Sequence, residues 1–170
     1  MQNIALNTAG ADIASENKDK IVALLNKAVA SGWKASFQYI LASALVRGNE
    51  GSEISEALAN HSLDDFKDVT SMVNRIIELE GKLILNFDDI SKIAPDFQSP
   101  TNESSVEIVK QTLATQKSAI ELYKQIVDLA KESGDNVTEL FMTNILSGEV
   151  TNEREMQNLL EDLETSKWLI

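Results

Sequence analysis

The sequence predicts an all-α fold, with four long amphipathic helices in one bundle and one long crossover between the second and third. Three observations carry this. Apolar residues recur in steps of three and four over most of the 170 residues. Only two prolines and seven glycines interrupt them, which favours long helices over many short strands. The breaks are unequal: "RGNEGS" and "ESGD" are short, whereas "NFDDISKIAPDFQSPTN" is long and holds both prolines.

Residues 1–17 are small and polar and read as a flexible arm, leaving 18–170 as the bundle domain. The first helix is expected from Lys18 to Arg47, where Gly48 and Gly51 break it. Ser52 offers an N-cap to the second, expected from Glu53 to Leu83. Within the long connection, "DDISKI" has the pattern for a turn or two of helix. The third long helix is expected from about Glu103, capped by Thr101 or Asn102. Asn136, with Glu139 three residues on, has capping-box spacing and opens the fourth, which runs to about Thr165. Short first and third connections make antiparallel hairpins. The second can cross a bundle of thirty-residue helices, ~45 Å at 1.5 Å per residue. The alternative is an up-down bundle with a long loose loop.

Composition narrows the chemistry. Without cysteine there are no disulfides, thiolates or cysteine metal sites. One histidine cannot build a multi-histidine zinc or copper site. A net charge of −12 repels nucleic acid and anionic membranes and attracts cations. No apolar run approaches the ~20 residues of a membrane span. The opening residues lack the basic-then-apolar order of a secretory signal. A soluble cytoplasmic protein is the expectation.

The four apolar stripes are each interrupted near mid-length: Gly32 on the first helix, Asp65 and Asp68 on the second, Gln116 on the third, Glu149 and Asn152 on the fourth. Helices of similar length bring their midpoints to one height, so these residues should share a buried layer. Three unpaired carboxylates there would repel one another or take up protons. Two solutions stand open. A hard divalent cation could bind Asp65, Asp68 and Glu149, with His61 one turn away as a further ligand. Alternatively, hydrogen bonds from Gln116 and Asn152, ordered water and protonated carboxyls could satisfy a vestigial layer. Trp33, Tyr39 and Tyr123 read as packing residues. Glu153 and Glu155 read as a solvated face.

Three fragments carry a family resemblance: "LLNKAVASGWKASFQYILAS", "MVNRIIELEGKLILNFDDISKI" and "TNILSGEVTNEREMQNLLEDLE". In order and spacing, from about Ile21 to Leu163, the chain resembles the ferritin superfamily, and within it bacterioferritin and its Dps-like relatives. The resemblance implies a ferritin-like bundle and a di-iron centre built from one Glu on each of two helices and a Glu-x-x-His pair on each of the others. Laid on this chain, the single Glu positions fall on Gly32 and Gln116. The pairs fall on Asp65-x-x-Asp68 and Glu149-x-x-Asn152. Only Glu149 keeps the family's residue type, so a degenerate centre with weak or no ferroxidase activity is expected.

The resemblance implies iron or another divalent metal as cargo. It also implies a homo-oligomeric shell, of the small Dps-like type since no fifth helix precedes the terminal "SKWLI". Phe66 stands where bacterioferritins carry the haem-ligating methionine, so no haem is expected. The opening residues are not basic, so direct DNA binding is not expected either. Two other readings remain: a scaffold that kept the bundle and lost the metal, or an assembly partner for an active ferritin subunit.

Overall fold

The computed structural model describes residues 17–47, 51–84, 86–94, 100 and 104–166. The N-terminal arm, apart from Asn17, and the caps expected at Thr101 and Asn102 lie outside these. Five helices occur in the order α1 (Lys18–Leu45), α2 (Gly51–Glu78), α3 (Phe87–Ile93), α4 (Ser105–Glu132) and α5 (Asn136–Ser166). The four long ones form the bundle, and α3 is the short helix expected at "DDISKI". No strand occurs among the described residues. No described helix is long and apolar enough to cross a membrane.

Side-chain pairs fix the helix directions. Ser55 donates to the Ser43 carbonyl, and Ser36 and Ser62 meet, so α1 and α2 are antiparallel. Arg47 with Ser105 and Gln38 with Thr115 make α1 and α4 antiparallel. His61 with Glu155 and Arg75 with Thr138 do the same for α2 and α5. Consequently α2 and α4 run in the same direction, and the connection from the end of α2 to the start of α4 joins opposite ends of the bundle. That is the long crossover the sequence predicts. Its first part is pinned by buried Asn26, which donates to the Lys82 carbonyl at 2.8 Å and accepts from the Ile84 amide at 3.0 Å. The helix α3 packs on α1.

Several helix ends differ from expectation, and α1 stops at Leu45 instead of Arg47. The helix α2 starts at Gly51, so Ser52 lies inside it and is not its cap. It also stops at Glu78 instead of Leu83. Glu80 turns to φ 54°, and the amides of Glu80 and Gly81 bond back to the carbonyls of Ile77 and Ile76. Here the non-glycine residue takes the left-handed position. Gly81 is needed for close approach, because a Cβ there would lie 2.6 Å from a Val22 methyl. At α5 the cap is Asp135, not Asn136. Its Oδ1 accepts the Thr138 amide at 3.0 Å, as an Asp N-cap does. The helix α4 is capped by Ser104, which accepts from the Glu107 amide.

The core is divided. One apolar cluster contains Leu25, Met72, Ile76, Tyr123, Ile126 and Met142. The other contains Tyr39, Ile54, Leu58, Ile108, Val109 and Met156. Between them all four long helices contribute small or polar residues: Gly32 and Ser36, Ser62 and Asp65, Thr112 and Gln116, and Glu149. The shared polar height read from the sequence is a feature of the fold.

Candidate functional site

The helical period puts His61 and Asp65 on the core face of α2 and carries Asp68 toward the rim. Asp65 is 5% exposed, and Glu149, facing it from α5, is 4% exposed. Two ionised carboxylates cannot share so dry a place. Burial, then the charge of Glu149, pushes the Asp65 carboxyl well above the usual range. Burial also raises Glu149, against the opposing hydrogen bonds from Gln116 and Asp65. The two carboxyls therefore face each other in a place that disfavours the charged form of both. The Gln116 amide nitrogen donates to Glu149 Oε2 and to its backbone carbonyl, both at 3.4 Å. Tyr39 and Tyr123 flank the pair as neutral phenols, their pKa raised by burial and by the two acids. Asp65 Oδ2, Gln116 Oε1 and His61 Nδ1 are buried with no protein partner.

Gly32 lies in the same layer for a steric reason. A Cβ on it would sit 2.6 Å from Val69 Cγ2, with the Tyr123 hydroxyl at 3.9 Å and Met72 Cε at 4.0 Å. Val69 therefore fills the room that a side chain at residue 32 would use. One turn along, Ser36 and Ser62 each donate to the other's carbonyl at 2.9 Å and bind α1 closely to α2.

The remaining expected residues lie elsewhere. Asp68 and Asn152 are half-buried on the wall of a cavity of about 370 Å³ between α2 and α5. Asp64, Asn144 and the edge of Glu149 share that wall. Burial and the neighbouring Asp64 raise Asp68 to about 6, with Lys67 pulling the other way. His61 turns to Glu155, with Nε2 2.9 Å from Oε2, and its ring meets Tyr39 edge-on. Glu155, read from the sequence as solvated, is thus the partner of the chain's histidine.

The donor set does not fit two carboxylate-bridged cations. Gly32 supplies no ligand, and Val69 occupies its space. Gln116 presents N–H groups to Glu149, whereas a cation needs a lone pair there. Among the described residues, no three His, Asp or Glu side chains converge as a metal-holding group. The cavity rim keeps oxygen donors in Asp68, Glu149 and Asn152, the type a single hard cation contacts.

Two features escaped sequence reasoning. Arg75 is 4% exposed; its Nη2 donates to both oxygens of the fully buried Asp135 carboxylate, at 2.9 and 3.1 Å, and its Nε donates to Thr138 at 2.8 Å. The Asp-x-x-Thr spacing at 135–138 was the available signal. Secondly, an apolar cavity of about 620 Å³ opens between α1, α2 and α3, lined by Trp33, Phe37, Ile40, Phe66, Phe87 and Ile90. Phe66, off the core stripe of α2, packs edge-on against Trp33 at 5.3 Å.

The sequence matches the family described as a ferritin-like domain over residues 22–166. No curated protein matches it. Among solved structures, the fold is similar to a dodecameric thioferritin, the bacterioferritin-related protein of Bacteroides fragilis. That match has a TM-score of 0.89 and 24% identity, covering 94% of this chain and 96% of that one. It is also similar to Dps from Thermosynechococcus elongatus, with a TM-score of 0.80, 16% identity and coverage of 90% and 95%. An archaeal Dps homologue from Halobacterium salinarum superposes with a TM-score of 0.81 at 18% identity, covering 86% and 82%.

Proposed function

The chain belongs to the ferritin-like family, and from that premise we propose that it is a self-assembling shell subunit that takes up Fe²⁺ as cargo without oxidising it inside its own bundle. The observation that carries the proposal is an uncovered apolar face on a strongly acidic protein. Phe37, Ile40, Phe66 and Phe87 are each 47–77% exposed, and among the described residues no carboxylate lines the cavity they share. Patches of this kind mark interaction sites. At a net charge of −12 two copies repel through most surfaces, so an apolar face whose charged lining residue is Lys34 is where a second copy fits. The thioferritin relative is a dodecamer, which supports a closed shell of the same kind here. Fe²⁺ would be drawn by the acidic field and held by surface and rim carboxylates, which suit a hard cation.

The filled and self-bonded mid-bundle layer favours a second reading, a scaffold or co-assembly subunit that handles no metal. Light scattering, followed by anaerobic Fe²⁺ loading and admission of air, separates the two. The first reading predicts a mass of many subunits and iron retained with the protein, with oxygen uptake no faster than in protein-free buffer. Assembly without retained iron selects the scaffold. A wild-type monomer rejects the shell, and Phe37→Glu is expected to break the assembly if the apolar face is its contact.

A further inference from the structure

We propose that the mid-bundle layer is a hydrogen-bonded joint closed to metal, and that Val69 is the residue that keeps it closed. Where the family has a four-helix metal cradle, this chain brings two helices together instead. Gly32 presents bare backbone to α2, and Val69 Cγ2 lies where its Cβ would stand. The reciprocal Ser36 and Ser62 bonds hold the same two helices one turn away. A ligand cannot return at residue 32 alone. It must expel the Val69 methyl or part α1 from α2 and break the serine bonds. Across the layer, the Gln116 amide nitrogen donates to Glu149 Oε2 and to its backbone carbonyl, and Asp65 is 5% exposed beside them. Gln116 thus occupies one Glu149 oxygen with a donor, where a cation needs a lone pair. The inference stands whether or not the assembled shell carries iron on its surfaces.

The test has two parts. In a double-mutant cycle, Gly32→Ala is expected to lower Tm by roughly 3 to 10 °C, as overpacking does, and to cost little in a Val69→Ala background. An equal loss in both backgrounds overturns the role of Val69. In calorimetric titrations, Mn²⁺ is expected to give the same heats with the wild-type chain and with Asp65→Asn. A site of about one per chain that vanishes in Asp65→Asn overturns the closed joint, and leaves iron retention by the shell to be judged separately. Gly32→Glu alone is expected to lose stability without gaining Mn²⁺ affinity. Gly32→Glu with Val69→Ala and Gln116→Glu is expected to gain at least tenfold if it folds by circular dichroism. If it does not fold, the double-mutant cycle decides. A gain of Mn²⁺ affinity in Gly32→Glu alone, with Tm unchanged, contradicts the proposal.

Discussion

Two buried polar clusters join α2 to α5, and they are built on opposite principles. Near the end of the bundle, Arg75 meets Asp135 as opposite charges, with Thr138 donating to Asp135 and accepting from Arg75. At mid-bundle, Asp65 meets Glu149 as like groups, both buried, with the Gln116 amide donating to Glu149. The first is the arrangement that makes a buried charge tolerable: a counter-charge and nearly complete hydrogen bonding. The second is tolerable only if a proton or a cation neutralises it. The comparison teaches that buried charge in this molecule serves packing where it is paired. Where it is unpaired, burial disfavours the charged form of both acids.

The largest expected difference comes from breaking the paired cluster. Arg75→Met leaves Asp135 buried without its counter-charge and should cost about 3–5 kcal/mol in urea unfolding. A loss below about 1 kcal/mol would mean that the network is incidental.

The corresponding change at mid-bundle should act in the opposite direction. Asp65→Asn keeps the shape, removes a buried acid and gives Glu149 an amide donor. It should leave stability unchanged or raise it by about 1–2 kcal/mol. A loss as large as that of Arg75→Met would put the two clusters in one class.

A smaller effect should appear in the pH profile. The folded-state pKa values of Asp65, Asp68 and Glu149 are raised, so the folded chain holds protons that the unfolded chain has released. By linkage their contribution falls as pH rises from the unfolded values near 4, and the Asp68 share is complete above its folded value of about 6. Wild type should therefore lose stability between pH 4 and 7 relative to Asp68→Asn. Parallel profiles for the two would remove the rim carboxylate from the account.

Much of this contrast was legible in the sequence, though unevenly. Gly32, Asp65, Gln116 and Glu149 interrupt four stripes at one height, and helical periodicity alone brings them together. Asp68 and Asn152 were read into the same layer, but the i,i+3 offset from Asp65 and Glu149 turns both outward to the cavity. His61 was placed as a ligand candidate one turn from Asp65, and its side chain reaches across to Glu155 instead. A one-helix pattern cannot show the partner on another helix. The same limit hid Arg75 and Asp135, which look like a surface cation and a loop residue until the bundle closes. Val69 was invisible for a further reason. A valine on an amphipathic stripe is ordinary, and only its 2.6 Å approach to the space beside Gly32 shows what it excludes.

The claim on which the comparison rests is that the mid-bundle acids hold each other and not a metal. Crystals soaked in Mn²⁺ and recorded for anomalous scattering test it most directly. The account predicts no anomalous peak between Asp65, Gln116 and Glu149, even where surface carboxylates are occupied. A peak bridging Asp65 and Glu149, at ~2.2 Å from their oxygens as hard divalent cations bind, would contradict it.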